Sequence, residues 1–397
     1  MSTSIHVEPV SYPFNDAAGL ELHEAYAAAR ADAGLIRVRL PYGEPAWLAT
    51  RYADVRQVLG DRRFSRAEAI RRDEPRTSPG RVSMGILAMD PPEHTRLRKL
   101  VAKAFTMRRI ERLRPRVREL AETSLDEMVS LGPPADLVER FALPLPVAVI
   151  CELLGVPTTD RPKFRVWSDA MLSTTRLTAE EFEATREETR AYMAGLIAIR
   201  RAEPADDLMT ALIEARDEHD RLSELELVDL CWGLLVAGHE TTASQLPNFV
   251  YVLLRNPDKW AELQKDPDLI PAAVEELMRF VPLGVGSAFA RYATEDVEVG
   301  GVLVRAGEPV LAAVSSANRD GEQFDAPDEL RFDRGENQHV GFGHGAHHCL
   351  GAQLARVELQ EALRVLLARL PGLHVAGEIE WKTGMIMRAP RMMPVGW

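Results

Sequence analysis

Cysteine is scarce in this sequence, and its positions are far apart. Only Cys151, Cys231 and Cys349 occur among 397 residues. An odd and scattered set excludes a disulfide framework and indicates a reducing compartment, for which we expect the cytoplasm. Internal repeats and low-complexity tracts are absent too, so we expect an ordinary globular fold.

Long apolar runs are missing as well. No stretch reaches the ~20 consecutive apolar residues that cross a bilayer. The opening stretch, MSTSIHVEPVSYPFNDAAG, has neither the basic segment nor the apolar segment of a secretory signal. We therefore expect no membrane anchor, and we expect residues 1–20 to form an irregular N-terminal segment.

Basic residues are fewer than acidic residues overall, 48 against 60. The net charge of −12 argues against nucleic acid as a partner. One run, from His94 to Arg118, is the exception, with a single acid, Glu111, against Arg96, Arg98, Lys99, Lys103, Arg108, Arg109, Arg112, Arg114, Arg116 and Arg118. Such a run is either a solvated helix face or a docking patch for an acidic partner.

The hydrophobic pattern predicts a mainly α protein with a small β portion. Helical periodicity dominates from about residue 90 to 280 and again from 350 to 370. Strand-like segments cluster at 34–50 and 285–314, with a hairpin around Gly300 and Gly301. No linker interrupts these elements, so we expect residues 1–397 to form one domain.

A long apolar segment in the middle of the chain predicts a buried helix. Ser223 and Glu226 form a capping box at its start, and the segment would extend ~45 Å. Its centre is polar, AGHETT at 237–242, and Pro247 follows. Burying those polar groups without a function would be costly, and proline removes a backbone hydrogen bond. We interpret this position as a functional kink.

The segment GFGHGAHHCLG, residues 341–351, places three histidines beside a cysteine. A zinc site would need paired ligands and a second cluster, and a Cys/His hydrolase would need a distant histidine and an oxyanion hole. The sequence supplies neither set. Gly343 and Gly345 can adopt positive φ and allow a flat ligand to approach the backbone. Cys349 begins an apolar helical segment, whose N-terminus would favour a thiolate, as in haem-thiolate ligation.

FGHGAHHCLG matches the haem-ligand pattern of cytochromes P450, F-G-x-G-x-H-x-C-x-G, at every fixed position. From about residue 20 to the C-terminus the chain resembles a soluble bacterial member. The resemblance implies a single triangular-prism fold with haem b between the central helix and the cysteine-ligand helix. It implies Cys349 as the iron ligand, Phe342 beside its sulfur and His347 on a haem propionate, with Gly343 and Gly351 in the same cofactor-binding loop.

Three further cationic positions fit that resemblance. MDPPEHTRLRKLV predicts a helix with Asp90 as N-cap and Pro91 at its first position. His94 and Arg98 would then lie one turn apart on the same face. The resemblance to the family's D-P-P-x-H-T-R-x-R pattern assigns both to the haem propionates, and it implies Arg291 as a third cationic ligand of these carboxylates.

Glu276 and Arg279 are three residues apart in VEELMRF, so they neighbour each other on a helix. Taken alone, such a pair is usually a weak surface ion pair. Its position before the cysteine resembles the E-x-x-R pair of the family, which implies a structural role behind the haem.

AGHETT resembles the oxygen-activating motif of the family's central helix. The resemblance places Ala237 and Gly238 against the cofactor and makes Glu240 and Thr241 the catalytic acid–alcohol pair. That chemistry needs a hydroxyl to bind dioxygen and a carboxylate to relay protons. The alternative is that the threonines only bond to backbone carbonyls.

The resemblance implies a monooxygenase that inserts one atom of O2 into a C–H or double bond. Electrons would come from NAD(P)H through a reductase and an acidic ferredoxin, which would dock on the basic run; we expect a monomer. Haem-dependent oxidative coupling of phenols without oxygen insertion is the alternative. A haem sensor without turnover is a third reading.

We expect an apolar natural product, such as a polyketide, terpenoid or aromatic compound, as substrate. Family pockets are walled by the loop before the first propionate helix, the central helix, the segment after E-x-x-R and a C-terminal loop. Core packing alone would account for about half of the candidates. The candidate wall residues are Met84, Ile86, Leu87, Leu235, Val236, His239, Val285, Phe289, Met385 and Ile386.

Overall fold

Apolar periodicity over most of the chain produces a mainly helical fold. The computed structural model describes residues 8–32, 34–79, 85–160, 163–164, 166–167, 170, 172, 178–217, 222–287 and 289–397. Its α-helices are Glu24–Ala31, Tyr52–Gly60, Glu93–Ala102, Met107–Ser130, Pro144–Leu154, Ala179–Ala202, Leu208–Asp217, Glu224–Arg255, Pro257–Lys265, Ile270–Phe280, Val314–Ala317 and Ala352–Arg369. Short 3-10 turns include Ala67–Arg71, Gly85–Ala88 and Gly345–His347.

The β portion is small, as the sequence predicts. Its strands are β1 (Val10–Ser11), β2 (Leu35–Arg39), β3 (Ala46–Ala49), β4 (Phe64–Ser65), β5 (Ala135–Asp136), β6 (Arg291–Ala293), β7 (Val297–Val299), β8 (Val302–Val304), β9 (Pro309–Ala312), β10 (His374–Val375), β11 (Glu380–Trp381), β12 (Pro390–Met392) and β13 (Pro394–Gly396). Among the described residues the main sheet has the order β1-β2-β3-β9-β6-β4, and β10, β13 and β5 form a second one.

The predicted hairpin at the glycine pair is confirmed. Strands β7 and β8 pair antiparallel, with Val299 opposite Val302. Gly300 and Gly301 connect them with φ angles of 56° and 81°. A two-residue turn with positive φ at both positions matches the twist of the flanking strands, and glycine adopts it without steric cost.

Helix Glu224–Arg255, here called the central helix, runs through the main hydrophobic core. The predicted capping box is present: the Ser223 hydroxyl accepts from the Glu226 N–H (3.2 Å), and the Ser223 N–H donates to Glu226 Oε2 (2.7 Å). Helices Pro144–Leu154 and Ala179–Ala202 pack against it. This burial on several sides explains why its sequence is apolar on nearly every face.

Helix Ala352–Arg369, here called the C-terminal helix, follows the cysteine segment directly. It packs against helix Met107–Ser130, which carries much of the basic run and is here called the basic helix, and also against the central helix. None of the helices within the described ranges is long and apolar enough to cross a membrane.

One helix start was predicted wrongly. The helix that carries His94 begins at Glu93 and not at Pro91; the carbonyl of Asp90 accepts from the His94 N–H (3.0 Å), but the Asp90 side chain makes no cap hydrogen bond. Both residues after Asp90 are prolines, which have no N–H for its carboxylate to bind. Asp90 instead accepts the backbone N–H of Arg66 (2.8 Å) and the hydroxyl of Ser65. It therefore ties this helix to β4.

Candidate active site

The cysteine loop is held by backbone hydrogen bonds and by glycine geometry. The N–H of Cys349 donates to the carbonyl of Phe342 (2.8 Å), which brings these two residues together. Gly343 and Gly345 have φ angles of 74° and 72°, as predicted. A Cβ on Gly345 would lie 2.5 Å from the carbonyl oxygen of Leu59. Close packing against helix Tyr52–Gly60 therefore also requires glycine there.

The sulfur of Cys349 lies between opposing influences. Its side chain is accessible to solvent, although protein atoms surround most of the sulfur. This partial burial raises the pKa of the thiol, whereas the N–H of Gly351 and the charges of Arg98 and Arg356 act to lower it. A positive metal ion would shift the balance to the thiolate, because metal-bound thiols are deprotonated. Cys151 and Cys231 are buried and are not joined in a disulfide.

Histidine and arginine side chains lie close together beside this loop. The rings of His94 and His347 lie 4.3 Å apart. Burial lowers the pKa of Arg291 to about 10, an effect that the charge of Arg66 reinforces and that of Asp90 opposes. Burial, together with the charges of Arg291 and His94, lowers the pKa of His347 to about 3. This imidazole is therefore uncharged at neutral pH, and the arginines Arg291 and Arg66 carry the positive charge of the cluster.

These residues fit a haem with two propionates. The buried Nδ1 of His347 has no hydrogen-bond partner within the described part of the chain. Arg291 contacts only the carbonyl of Phe289 there, at 3.5 Å, and forms no ion pair. Buried cations without carboxylates are costly, so the site suits anionic groups of a ligand. The structure therefore brings together three of the four predicted propionate contacts, His94, His347 and Arg291.

Arg98, the fourth, contacts the cysteine loop, and its charge also acts to lower the pKa of His94. Its Nη2 donates to the carbonyl of His348 (2.6 Å), next to Cys349. Sequence analysis missed a different arginine, Arg66, which is 3% exposed and pairs with Glu74 at 2.9 Å. No local pattern distinguishes Arg66, because its partners come from other parts of the chain.

Glu276 and Arg279 form a doubly hydrogen-bonded ion pair, with 2.8 Å between each nitrogen and oxygen. Both side chains are buried, with exposures of 1% and 0%. The pair is the centre of a network that holds the irregular segment 318–337. Its other members are the carbonyls of Asn318, Pro327 and Glu329, which accept from Arg279, and the N–H of Arg331 and the side chains of Arg334 and Asn337, which donate to Glu276.

A neighbouring ion pair, which no local pattern predicts, reaches the cysteine loop. Arg356 of the C-terminal helix donates to both oxygens of Glu275 (2.6 and 2.9 Å). Its guanidinium lies over the ring of Phe342, 4.5 Å from the centroid. The helix Ile270–Phe280 is therefore connected through Arg356 to the residue beside Cys349.

The polar centre of the central helix is buried and paired. Glu240 is 4% exposed, and its Oε1 accepts from Lys382 Nζ and from the Ser244 hydroxyl (3.3 Å). Burial alone would raise the pKa of Glu240, but the charge of Lys382 and the adjacent groups outweigh it and lower the pKa. The Thr241 hydroxyl donates to the carbonyl of Ala237 (3.0 Å). No pattern in the sequence indicated Lys382 or Ser244 as partners of Glu240.

Ala237 and Thr241 share one face of the central helix, and Ala237 is accessible where the helix is otherwise mostly buried. Gly238 lies on another face, where a Cβ would come within 2.6 Å of the side chain of Ile150. Helix packing accounts for this glycine, and its contact with a cofactor stays a prediction. His239 is 1% exposed and bonds through Nδ1 to the carbonyl of Leu235 (2.7 Å).

Two segments of the predicted pocket wall lie side by side. The N–H of Val285 donates to the carbonyl of Ile386 (3.0 Å). Phe289, a few residues further on, is half-buried with a φ of 64°, and the Arg66 guanidinium lies 5.4 Å from its ring centroid. Positive φ is strained for a bulky residue and marks functional positions when the surroundings impose it. Met385 is buried.

The other wall candidates lie in different environments. Ile86 and Leu87 are half-buried in the turn Gly85–Ala88, which contacts the central helix. Leu235 and Val236 belong to the main hydrophobic core, so packing accounts for them. Met84 lies outside the described residues. Within those residues no cluster of three His, Cys, Asp or Glu side chains could hold a metal ion.

Fold and site together define a haem-thiolate protein. The family model of cytochrome P450 matches residues 137–371. The chain is 57% identical over 393 residues to mycinamicin IV hydroxylase/epoxidase from Micromonospora griseorubida, covering 98% of this chain and 99% of the relative. It is 54% identical over 392 residues to nocardicin C N-oxygenase from Nocardia uniformis subsp. tsuyamanensis, covering 98% of each. The chain therefore belongs to the cytochrome P450 family and is a P450 monooxygenase.

Solved structures agree with this assignment. A structure of HinD with NMFT and NO has a TM-score of 0.95 and 52% identity, covering 98% of this chain and 100% of its own. A cytochrome P450mel with biaryl coupling reactivity has a TM-score of 0.93 and 42% identity, covering 98% and 99%. The same fold thus supports different outcomes of haem-dependent oxidation.

Proposed function

We propose that this P450 inserts one oxygen atom from O2 into a C–H or double bond of an apolar secondary metabolite. For hydroxylation, one O2, two electrons and two protons convert C–H to C–OH and release one water. The observation that carries the proposal is the pair Glu240 and Thr241 in the centre of a buried helix, in a chain that also has the Cys349 loop. The hydroxylase/epoxidase and N-oxygenase relatives support oxygen insertion.

Cys349 would hold the haem iron, and His94, His347 and Arg291 would bind the propionates. When bound, the haem with its thiolate ligand supplies electron density that favours cleavage of the O–O bond. Phe342 stays next to the sulfur because the Cys349 N–H donates to its carbonyl. Arg291 forms no ion pair within the described residues, so its charge would be available to neutralise a propionate.

The central helix would deliver the protons. The Thr241 hydroxyl donates to the Ala237 carbonyl, and its oxygen can still accept a hydrogen bond from a proton donor. Glu240 precedes it in sequence, is buried and carries a lowered pKa, so it is ionised at neutral pH and can accept protons from water and pass them on. Burial of the surrounding helix keeps bulk water from Glu240, whereas Thr241 lies on the accessible face of the helix with Ala237.

Electrons would come from NAD(P)H through a reductase and an acidic ferredoxin. Several cations of the basic run already have partners, such as Arg109, whose Nη2 lies 3.8 Å from Asp206. Within the described residues the exposed members without an ion pair are Lys99, Lys103, Arg108 and Arg112. These four positions are free to attract a negatively charged protein.

The docking surface has a direct test. Changing Arg108 and Arg112 to glutamate should lower ferredoxin-driven turnover about tenfold at low salt, since electrostatic steering governs association. Turnover driven by peroxide should not change. A control with Lys265 and Arg305 changed to glutamate alters the net charge equally outside the basic run. Equal losses in both assays, or in both variants, would refute the docking surface.

The reaction itself is tested first by spectroscopy. Dithionite-reduced protein with carbon monoxide should give the red-shifted Soret band of a haem thiolate, and Cys349→Ala should lose it. Candidate apolar metabolites would then be screened by spin-state shift and by product mass. A product heavier by one oxygen atom, formed with NAD(P)H consumption, supports the proposal and excludes a sensor without turnover. Absence of the band in haem-loaded protein would overturn it.

Oxidative coupling is the second candidate, favoured by the structural similarity to a P450 with biaryl coupling reactivity. In that reaction two aromatic C–H groups, one O2, two electrons and two protons give one C–C bond and two waters. A dimeric or cyclised product without added oxygen would favour coupling over insertion.

A further inference from the structure

Lys382 is a buried lysine on an element distant in sequence from the central helix. Its Nζ donates to Glu240 Oε1 (2.5 Å) and to the Ser244 hydroxyl (3.1 Å). The side chains of Lys382 and Glu240 are 11% and 5% exposed. Ser244 also donates to Glu240, so Lys382, Glu240 and Ser244 are all hydrogen-bonded to one another inside the protein.

The position of this lysine is fixed by the C-terminal hairpin. Lys382 follows β11, and its N–H donates to the carbonyl of Ala389 (2.9 Å) at the base of the loop that leads to β12. That loop is joined to residues 283–285 because the N–H of Arg388 donates to the Leu283 carbonyl (2.7 Å). The hairpin therefore determines where the ammonium group meets the central helix.

The ion pair also determines where the carboxylate of Glu240 lies. Glu240 and Ser244 are four residues apart and share one helix face, whereas Thr241 and Ala237 share the next. The bonds from Lys382 and Ser244 keep the carboxylate on its own face, one residue along the helix from the threonine that it would supply with protons. Without Lys382, a buried carboxylate would keep Ser244 as its remaining hydrogen-bond donor, and burial would favour its protonated form.

We propose that Lys382 is a positioning residue for proton delivery, holding Glu240 ionised and oriented beside Thr241. This inference rests on the proposed monooxygenase function. The charged and titratable groups that face Glu240 in the described part of the chain are Lys382 on the hairpin and His239 on its own helix. Lys382 is the one that touches the carboxylate, so it is the group to change.

The test compares Lys382→Met, Glu240→Gln, the double variant and Glu380→Gln. Glu380 is an exposed acid on the same hairpin and serves as the control. In Lys382→Met, product formed per NAD(P)H should fall about tenfold, because positioned acid–base groups contribute about 10²–10⁴-fold. The limb of the pH profile of kcat/KM that reports ionisation of Glu240 should move to higher pH. In the Glu240→Gln background, Lys382→Met should have no further effect on coupling.

A measurement that does not depend on turnover completes the test. Thermal unfolding should show that Lys382→Met lowers Tm by several degrees, and that the effect shrinks when Glu240 is also neutralised. A lowered Tm with unchanged product yield and pH profile would overturn the proposal and leave a purely structural ion pair. Every variant must keep the red-shifted Soret band of the reduced carbon monoxide complex. If the unaltered protein lacks this band, the proposed monooxygenase function is refuted instead.

Discussion

Replacing Gly238 with alanine should disturb the contact between the central helix and helix Pro144–Leu154. A Cβ at position 238 would lie 2.6 Å from Ile150 Cδ1 and 2.8 Å from Ile150 Cγ1. Ile150 is 1% exposed, and a β-branched residue in a helix has one dominant rotamer, so it cannot easily move away. Overpacking costs about 1–3 kcal/mol, whereas helix propensity returns about 1 kcal/mol. We expect a net loss of up to about 2 kcal/mol in the free energy of unfolding.

A second substitution isolates the contact. Ile150→Ala removes both close atoms and leaves Cβ at 3.5 Å, an ordinary van der Waals distance. Alone it should cost about 2–5 kcal/mol, because it creates a cavity in the core. In the double variant the new methyl group of residue 238 fills part of that cavity. The double variant should therefore be about 1–3 kcal/mol more stable than the two single losses imply.

Thermal unfolding of the four proteins, at equal haem content, measures this coupling. Gly195→Ala is the matched control, since it is an exposed helical glycine with no atom within 4 Å of an added Cβ. It should gain up to about 1 kcal/mol from helix propensity. Additive losses for Gly238 and Ile150 would refute the packing argument, and so would stabilisation by Gly238→Ala equal to that of the control.

Two further predictions follow from the buried ion pairs. Arg279→Ala leaves the carboxylate of Glu276 without its main partner in the core, so the free energy of unfolding should fall by about 3–5 kcal/mol; a change in Tm no larger than that of an exposed arginine variant would contradict this. Burial would raise the pKa of Glu275, but hydrogen bonds from His339 and Arg356 lower it to about 2. Its ion pairs therefore stabilise the fold above the ordinary pKa of 4.5, and this contribution should be lost as the pH falls from there toward 2. Acid unfolding of Glu275→Gln should lack that part of the pH dependence, and identical acid profiles would contradict the assignment.

The sequence predicted the elements well where the physical cause is local. The capping box at Ser223, the glycine hairpin at 300–301 and the positive φ of Gly343 each depend on residues within a few positions. The start of the helix at Glu93 was predicted wrongly, although its signals are also local. There the two prolines offer the carboxylate of Asp90 no N–H, and the fold provides one from Arg66, next to β4.

The same distinction between local patterns and contacts made by the fold applies to the site. The Cys349 segment, the Glu276–Arg279 pair and the AGHETT motif are each contiguous or one helical turn long, so each can be recognised in the sequence by its resemblance to a motif of the family. The sequence could not indicate that Gly238 is packed against Ile150, because that contact joins two helices.

By itself, the sequence determined the family, and through that resemblance it predicted a thiolate ligand in a glycine-rich loop, cations for propionates, and an acid–alcohol pair in a buried helix. Only the tertiary structure decided which charges meet. Lys382 reaches Glu240 across 142 positions of sequence, and Arg66 reaches the carbonyl of Ala290 across 224. Periodicity and capping depend on residues that are a few positions apart. A buried charge pairs with the residue that the folded chain brings next to it, so the local sequence does not identify that partner.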